Sequence, residues 1–258
     1  MALKDKNKEV QEEKPKETTV EFMASMASVL VSGLFIITFI LQAFEIPSSS
    51  MEETLLIGDH VFVNRIAFAP PTRWTGPLLP YREIHRGDIV VFLSPMTPGL
   101  YVVKRIIGLP GDRIHLREGV VYRNGESLNE PFVKHKAFDQ NDSYRLNFPA
   151  TPPTYADQLP EYWQLSLPQY IKGEDIVVPP ASYFAMGDNR DVSYDSRYWG
   201  FIPQQNVLGR PMFVYWSFET PEGAYQQKEI TARAVGFLHV ILHFFDKTRW
   251  RRTLTVVR

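Results

Sequence analysis

One long unbroken apolar run opens the chain, and many short ones follow it. From Phe22 to Phe44 there is no Asp, Glu, Lys or Arg. Wound as a helix at about 1.5 Å per residue, that run spans roughly 34 Å, enough for a hydrocarbon core of about 30 Å. The apolar region of a cleaved secretory signal is usually about 7–15 residues long and follows a short basic head. A retained transmembrane helix over 22–44 therefore fits better.

Beyond Phe44 the runs shorten and sit behind Gly-Asp pairs: His60–Arg65 after Gly58-Asp59, Ile89–Leu93 after Gly87-Asp88, Arg113–Leu116 after Gly111-Asp112. These predict β-strands entered from turns. Val120–Glu126 carries Asn124-Gly125, which predicts a hairpin with positive φ at both turn positions. Val207–Phe218, dense in β-branched and aromatic residues, predicts another strand pair. Two proline-rich stretches, Ala69–Tyr81 and Phe138–Tyr170, lack the ladder donors of a central strand. The second reads as an inserted cap. The expected organisation is a disordered tail (1–21), the membrane helix (22–44), a β core in two parts (45–136 and 176–232) around an inserted cap (137–175), and a C-terminal segment (233–258). In that last segment Val235–Phe245 is too short to span a bilayer, and Trp250 with Lys247, Arg249, Arg251 and Arg252 behind it matches an interfacial helix. The competing reading is an ordinary element of the domain.

Charge changes the picture in one respect. Lys4, Lys6, Lys8, Lys14 and Lys16 precede the apolar run, and no Lys or Arg occurs from Glu45 to Asn64. The basic flank of a membrane helix stays in the cytoplasm. This places the N-terminus inside and the β domain outside, with the lipid bilayer as a partner. A net charge of −1 gives no electrostatic case for nucleic acid. Without cysteine there is no disulfide, thiolate nucleophile or Cys-ligated zinc site.

The candidate chemistry lies just past the apolar run. Ser50 follows Phe44 by six residues, so its hydroxyl lies no more than about 20 Å from the end of that run. A serine needs a base. None of the six histidines sits in a recognisable triad motif, and Ser50 is not within Gly-x-Ser-x-Gly. A lysine kept neutral by burial is the alternative. Lys104, within Tyr101–Ile107, shares a strand face with Val102 and Ile106 on alternation, and Arg105 takes the other face with Val103 and Ile107. No cofactor or metal is expected. Asp191-x-Ser193-x-Asp195 has Ser196 where a calcium loop needs glycine and Ile202 where it needs glutamate, and His239 with His243 lacks a third ligand.

Three motifs then occur in order. Pro47-Ser48-Ser49-Ser50-Met51-x-x-Thr54-Leu55-x-x-Gly58-Asp59 comes first, followed by Lys104-Arg105-x-x-Gly108-Leu109-Pro110-Gly111-Asp112. The third runs from Gly187-Asp188-Asn189-Arg190-Asp191 through Ser193, Asp195-Ser196-Arg197 and Trp199-Gly200-Phe201 to Pro203. Together behind an N-terminal anchor they resemble the bacterial type I signal peptidase family, from the membrane segment to about Phe218. The resemblance implies a mainly β signal-peptidase core that removes signal peptides from exported preproteins at the outer face of the cytoplasmic membrane, cutting after small-x-small sequences. It implies Ser50 as nucleophile and Lys104 as general base. Ser48 and the Ser50 N–H would form the oxyanion hole, Ser193 would hydrogen-bond the Lys104 amine, Asp195 and Arg197 would fix the loop, and Gly187 would leave room near the amine. Substrate would lie beside Ile46, Pro47, Val102 and Val103. Secretion machinery is a further partner that this location permits. One departure stands out: the family commonly has proline where this chain has Glu53. The rival readings are a self-cleaving Ser-Lys repressor, which needs a DNA-binding helix pair ahead of the serine, and a catalytically silent membrane-anchored β module that binds exported chains.

Overall fold

The computed structural model describes residues 18–68, 82–135, 143–150, 159–221, 223 and 230–258. The expected tail up to residue 17, the proline-rich stretch 69–81 and two parts of the expected cap, 137–142 and 151–158, lie outside the described residues.

Helix α1 (Thr19–Phe35) begins three residues before Phe22 because Thr18 and Glu21 form a reciprocal capping box. It runs into a π-helical turn over Ile36–Ile40 and stops there, so the apolar run is not one helix to residue 44. Strand β1 (Leu41–Glu45) pairs antiparallel with β2 (Asp59–Asn64), with Leu41 opposite Asn64 and Glu45 opposite His60. The carbonyls at the helix end are taken up by Arg65, whose side chain donates to Thr38 (2.7 Å) and whose N–H donates to Ile40 (2.9 Å). Closure of those orphan carbonyls by β2's own exit ends the helix. The 22 residues Thr19–Ile40 remain long and apolar enough to cross a membrane.

Strands β3 (Ile89–Leu93), β4 (Tyr101–Gly108), β5 (Arg113–Arg117), β6 (Val120–Arg123) and β7 (Glu126–Ser127) follow. The Gly-Asp turns share one device: Gly58, Gly87 and Gly111 take positive φ, and Asp59, Asp88 and Asp112 each accept the N–H of the residue three earlier. Asn124 (φ 56°) and Gly125 (φ 85°) turn the β6–β7 hairpin. Helices α2 (Ser143–Leu146) and α3 (Glu161–Tyr170) lead to β8 (Ile171–Lys172), β9 (Asp175–Val177) and β10 (Ser182–Met186). Then come α4 (Ser196–Trp199), β11 (Ile202–Pro203), β12 (Val207–Ser217), α5 (Ile230–Leu242), α6 (Phe244–Lys247) and β13 (Thr255–Val256).

The strands form an eight-stranded sheet, ordered β1-β2-β12-β3-β4-β10-β11 with β13 on β12, and a five-stranded sheet ordered β7-β6-β5-β9-β8. Strand β3 shows why its sequence is apolar without alternation: Val90 and Phe92 enter one core, and Ile89 and Val91 enter another on the opposite face. A strand buried on both sides keeps no polar face.

Three expectations change. Val207–Ser217 is one bulged strand rather than a pair, because β2 takes one side and β3 begins the other with no turn between. The expected cap does not stand apart among the described residues, since Tyr144, Phe148, Leu159, Trp163 and Leu167 bury themselves in the main core. The C-terminal segment is not all interfacial. Arg252 reaches Asp59 (2.5 Å), and β13 joins the large sheet opposite Phe213–Val214.

Candidate active site

Ser50 lies in a single 3₁₀ turn, Ser49–Met51. The turn is pinned from below, since Met51 and Leu55 are fully buried in the second core with Ile46, Ile89 and Val91. Its carbonyl accepts the Asn189 N–H (3.1 Å), and the Asn189 side chain donates to the Ser49 carbonyl (3.2 Å). Two chain segments more than a hundred residues apart thus hold the serine.

Lys104 comes to it from β4. Its Nζ lies 2.5 Å from Ser50 Oγ, and Ser48 Oγ lies 3.3 Å from the same oxygen. Lys104 as a whole is 3% exposed. Burial is the largest influence on its pKa and lowers it to about 8; Asp195 and Asp188 pull the other way, and Arg197 adds to the lowering. At that value a substantial fraction of the amine is neutral near pH 8, the form that can accept a proton from Ser50.

The surrounding charges are paired. Arg197 grips Asp195 through Nε (2.9 Å) and Nη2 (2.8 Å), and both are fully buried. Burial, the largest influence, would raise the Asp195 pKa, but Arg197 together with Ser193 and Lys104 outweighs it and holds the carboxylate below its ordinary range. Asp195 also caps α4 and accepts the Gly187 N–H (3.2 Å). On the other face of β4, Arg105 makes a two-pronged contact with Asp188 (2.8 and 2.7 Å), and Thr54 Oγ1 donates to Asp188 at 2.5 Å. The sequence analysis placed Thr54 and Asp188 in motifs but gave neither a role. Their signal was position: Asp188 sits inside the third motif, and Arg105 is the immediate neighbour of Lys104.

Ser48, Ser50, Lys104, Gly187, Ser193, Asp195 and Arg197 thus converge, though Ser193 differs from expectation. The Ser193 hydroxyl makes no hydrogen bond to Lys104; it is buried without a geometrically formed partner and lies on the Asp195 side. Lys104 Nζ is satisfied by Ser50 instead. A Cβ on Gly187 would stand 2.3 Å from Ser193 Oγ and 2.4 Å from the Ser50 carbonyl oxygen. The space this glycine leaves is taken up by Ser193 and the Ser50 backbone, beside Lys104. Val102 and Val103 take opposite faces, Val102 toward the main core and Val103 toward the second core beside Ile46. They cannot line one wall together. What they share is an edge: β10 pairs β4 only from Arg105 to Gly108, so among the described residues Tyr101–Lys104 has no strand on that side.

Glu53 stands at φ 88°, a region closed to proline, whose ring fixes φ near −65°. Its carboxylate meets Lys134 at 2.6 Å. The backbone of Lys134 in turn bonds Asp188 (2.9 Å) and Arg190 (3.1 Å), while Glu130 pairs with Arg190 and Phe132 lies under the Arg105 guanidinium. This strap, Glu130–Lys134, links the serine turn to the third motif and was not foreseen from sequence.

The family model described as signal peptidase, peptidase S26, matches residues 19–216. The chain belongs to the signal peptidase family. It is a serine endopeptidase of the signal peptidase I group. Among its relatives, the probable signal peptidase I-2 of Synechocystis sp. is 34% identical over 210 residues, covering 80% of this chain and 77% of the relative. The signal peptidase I of Pseudomonas aeruginosa is 31% identical over 218 residues (79% and 74%), and that of Aquifex aeolicus 31% over 222 residues (75% and 82%).

Proposed function

We propose that this signal peptidase is a membrane-anchored endopeptidase that cleaves signal peptides from exported preproteins at the outer face of the cytoplasmic membrane, with Ser50 as nucleophile and Lys104 as general base. The observation that carries the assignment is the 2.5 Å approach of a buried amine, its pKa near 8, to the Ser50 hydroxyl.

Neutral Lys104 takes the Ser50 proton as Oγ attacks the scissile carbonyl. Charge then develops on the carbonyl oxygen, where the Ser48 hydroxyl and the Ser50 N–H would donate to it. The Lys104 ammonium gives its proton to the leaving nitrogen, so the mature chain departs with a new amino terminus and the signal peptide stays esterified to Ser50. Water, deprotonated by the regenerated amine, releases it as a carboxylic acid. Asp195 and Arg197 act through the loop they fix, and Ser193 and Gly187 act through close packing beside the dyad.

The open edge of Tyr101–Lys104 supports binding of substrate as an added strand. Main-chain bonds would supply affinity, and small side chains would fit where Ile46, Pro47, Val102 and Val103 crowd the edge. That arrangement accords with small-x-small sites. Helix α1, with five lysines ahead of it and none just after, supports a cytoplasmic N-terminus. The test is processing of a preprotein by purified Ser50→Ala enzyme. Loss of cleavage is expected, and cleavage at the wild-type rate overturns the assignment.

A further inference from the structure

The family model ends at residue 216, and α5 lies beyond it. This helix wears its hydrocarbon on the wrong side. At about 100° per residue, Val235, Phe237, Leu238, Ile241 and Leu242 fall within one arc of roughly 160°, and all are exposed. On the opposite arc His239, Val240 and His243 are half-buried, with the His239 ring against Phe218. A helix covering a water-soluble domain has the reverse arrangement. The exposed face continues into Phe245, 80% exposed.

We propose that the outward face of α5 and Phe245 docks on the lipid bilayer, as a second contact beside α1. The proposal rests on the reading of α1 as a membrane helix. Reach supports the bilayer as occupant. Glu45, five residues past Ile40 where the helical run ends, is opposite His60, and His60 is opposite Trp216, whose ring lies 6.0 Å from Phe244. Five strand residues and two strand spacings put the α5–α6 corner within about 25 Å of the helix end. Charge supports it too. Between His243 and Thr253 stand four basic residues and one acidic, and Arg251 is exposed with no ion pair among the described residues. Trp250, half-exposed and stacked on Phe245, completes the composition of an interfacial element, which favours anionic lipid.

The chain has no cysteine, so single-cysteine variants report one position each. The full chain, one copy per lipid nanodisc containing anionic phospholipid, is labelled with a nitroxide at Leu242→Cys, Phe245→Cys, Leu165→Cys on α3, or Leu30→Cys in α1. Accessibility to oxygen is compared with accessibility to a water-soluble nickel chelate. Expected is an oxygen-to-nickel ratio at residues 242 and 245 severalfold above that at 165, reduced by Arg251→Glu in anionic but not in zwitterionic discs. A water-like ratio at 242 and 245 with a lipid-like ratio at 30 overturns the docking and leaves the anchor standing. A water-like ratio at 30 removes the anchor reading and the docking with it. Protection of 242 and 245 from both reagents overturns the proposal in favour of a protein partner, a second copy if the protection appears only in discs holding two chains.

Discussion

Around Lys104 the chain encloses charge, with Lys104, Arg105, Asp188, Asp195 and Arg197 all nearly inaccessible to water, whereas along α1 and α5 it leaves rows of Phe, Leu, Ile and Val uncovered. Both regions reverse the usual placement, for different reasons. Buried charge is tolerated where each group has a partner held by a rigid sheet, as with Asp195–Arg197 and Arg105–Asp188. Exposed hydrocarbon is tolerated where the surrounding solvent is lipid. On the membrane reading proposed above, the enzyme joins a costly polar interior to a surface suited to lipid.

The sharpest way to break this comparison is to remove Lys104, which, unlike Arg105 and Arg197, has no carboxylate clamp among the described residues. Lys104→Met should lower cleavage of a signal-peptide substrate on the order of 10⁴-fold while making the folded domain more stable. The sign follows from the pKa. A value moved from lysine's ordinary 10.5 to about 8 means the folded state resists the charged form, at a cost of about 3 kcal/mol. That cost is full below pH 8 and gone above about 10.5. Urea melts at pH 7 should therefore show higher stability for the variant, and lower stability would mean that the amine is not strained by burial.

Arg197→Met tests the opposite arm. It strands the Asp195 carboxylate in a dry site, and losing one partner of a buried pair costs about 3–5 kcal/mol. With Arg197 gone, Asp195 also raises the Lys104 pKa, so the acid limb of the activity profile should move to higher pH. A neutral melt with an unmoved profile would show the pair to be ornamental. Adding Asp195→Asn should recover part of the stability.

How far these features were legible depends on whether their cause was local. The strands after Gly58, Gly87 and Gly111 could be read because glycine at positive φ and an aspartate reaching back three residues are adjacent in sequence. The convergence of Ser50, Lys104 and the third motif could be read because the motifs themselves are dense. The end of the helical run at Ile40 could not be read, since Arg65, a distant residue, closes its carbonyls. Nor could the continuity of β12, whose bulges are set by two neighbouring strands, or the burial of Trp163 under the Gly200 backbone. Ser193 shows the limit most clearly: the resemblance implied a hydrogen bond from its hydroxyl to the Lys104 amine, but which group it meets depends on packing of about an ångström.

A milder probe is the pH dependence of wild-type enzyme. The base must be neutral to act, so kcat/KM for a soluble signal-peptide substrate should rise about tenfold per pH unit below pH 8 and level off above it. Activity that is flat from pH 6 to 9 would separate the rate from the Lys104 proton.

The smallest effect is expected at the rim, where the buried interior gives way to solvent. Lys134 and Glu53 form an ion pair at 2.6 Å, but Glu53 is more than half exposed, so solvent screens the pair and it contributes little. Lys134→Ala should therefore change melting far less than Arg197→Met does, and cleavage by only a few-fold. Its backbone bonds to Asp188 and Arg190 survive the substitution, so the strap keeps its place. Raising the salt concentration should weaken what remains of the effect, since exposed pairs are screened and the buried pairs around Lys104 are screened much less. A loss as large as that of Arg197→Met, insensitive to salt, would mean that the strap's side chain holds the serine turn, and that the line between enclosed and exposed charge runs further out than Glu53.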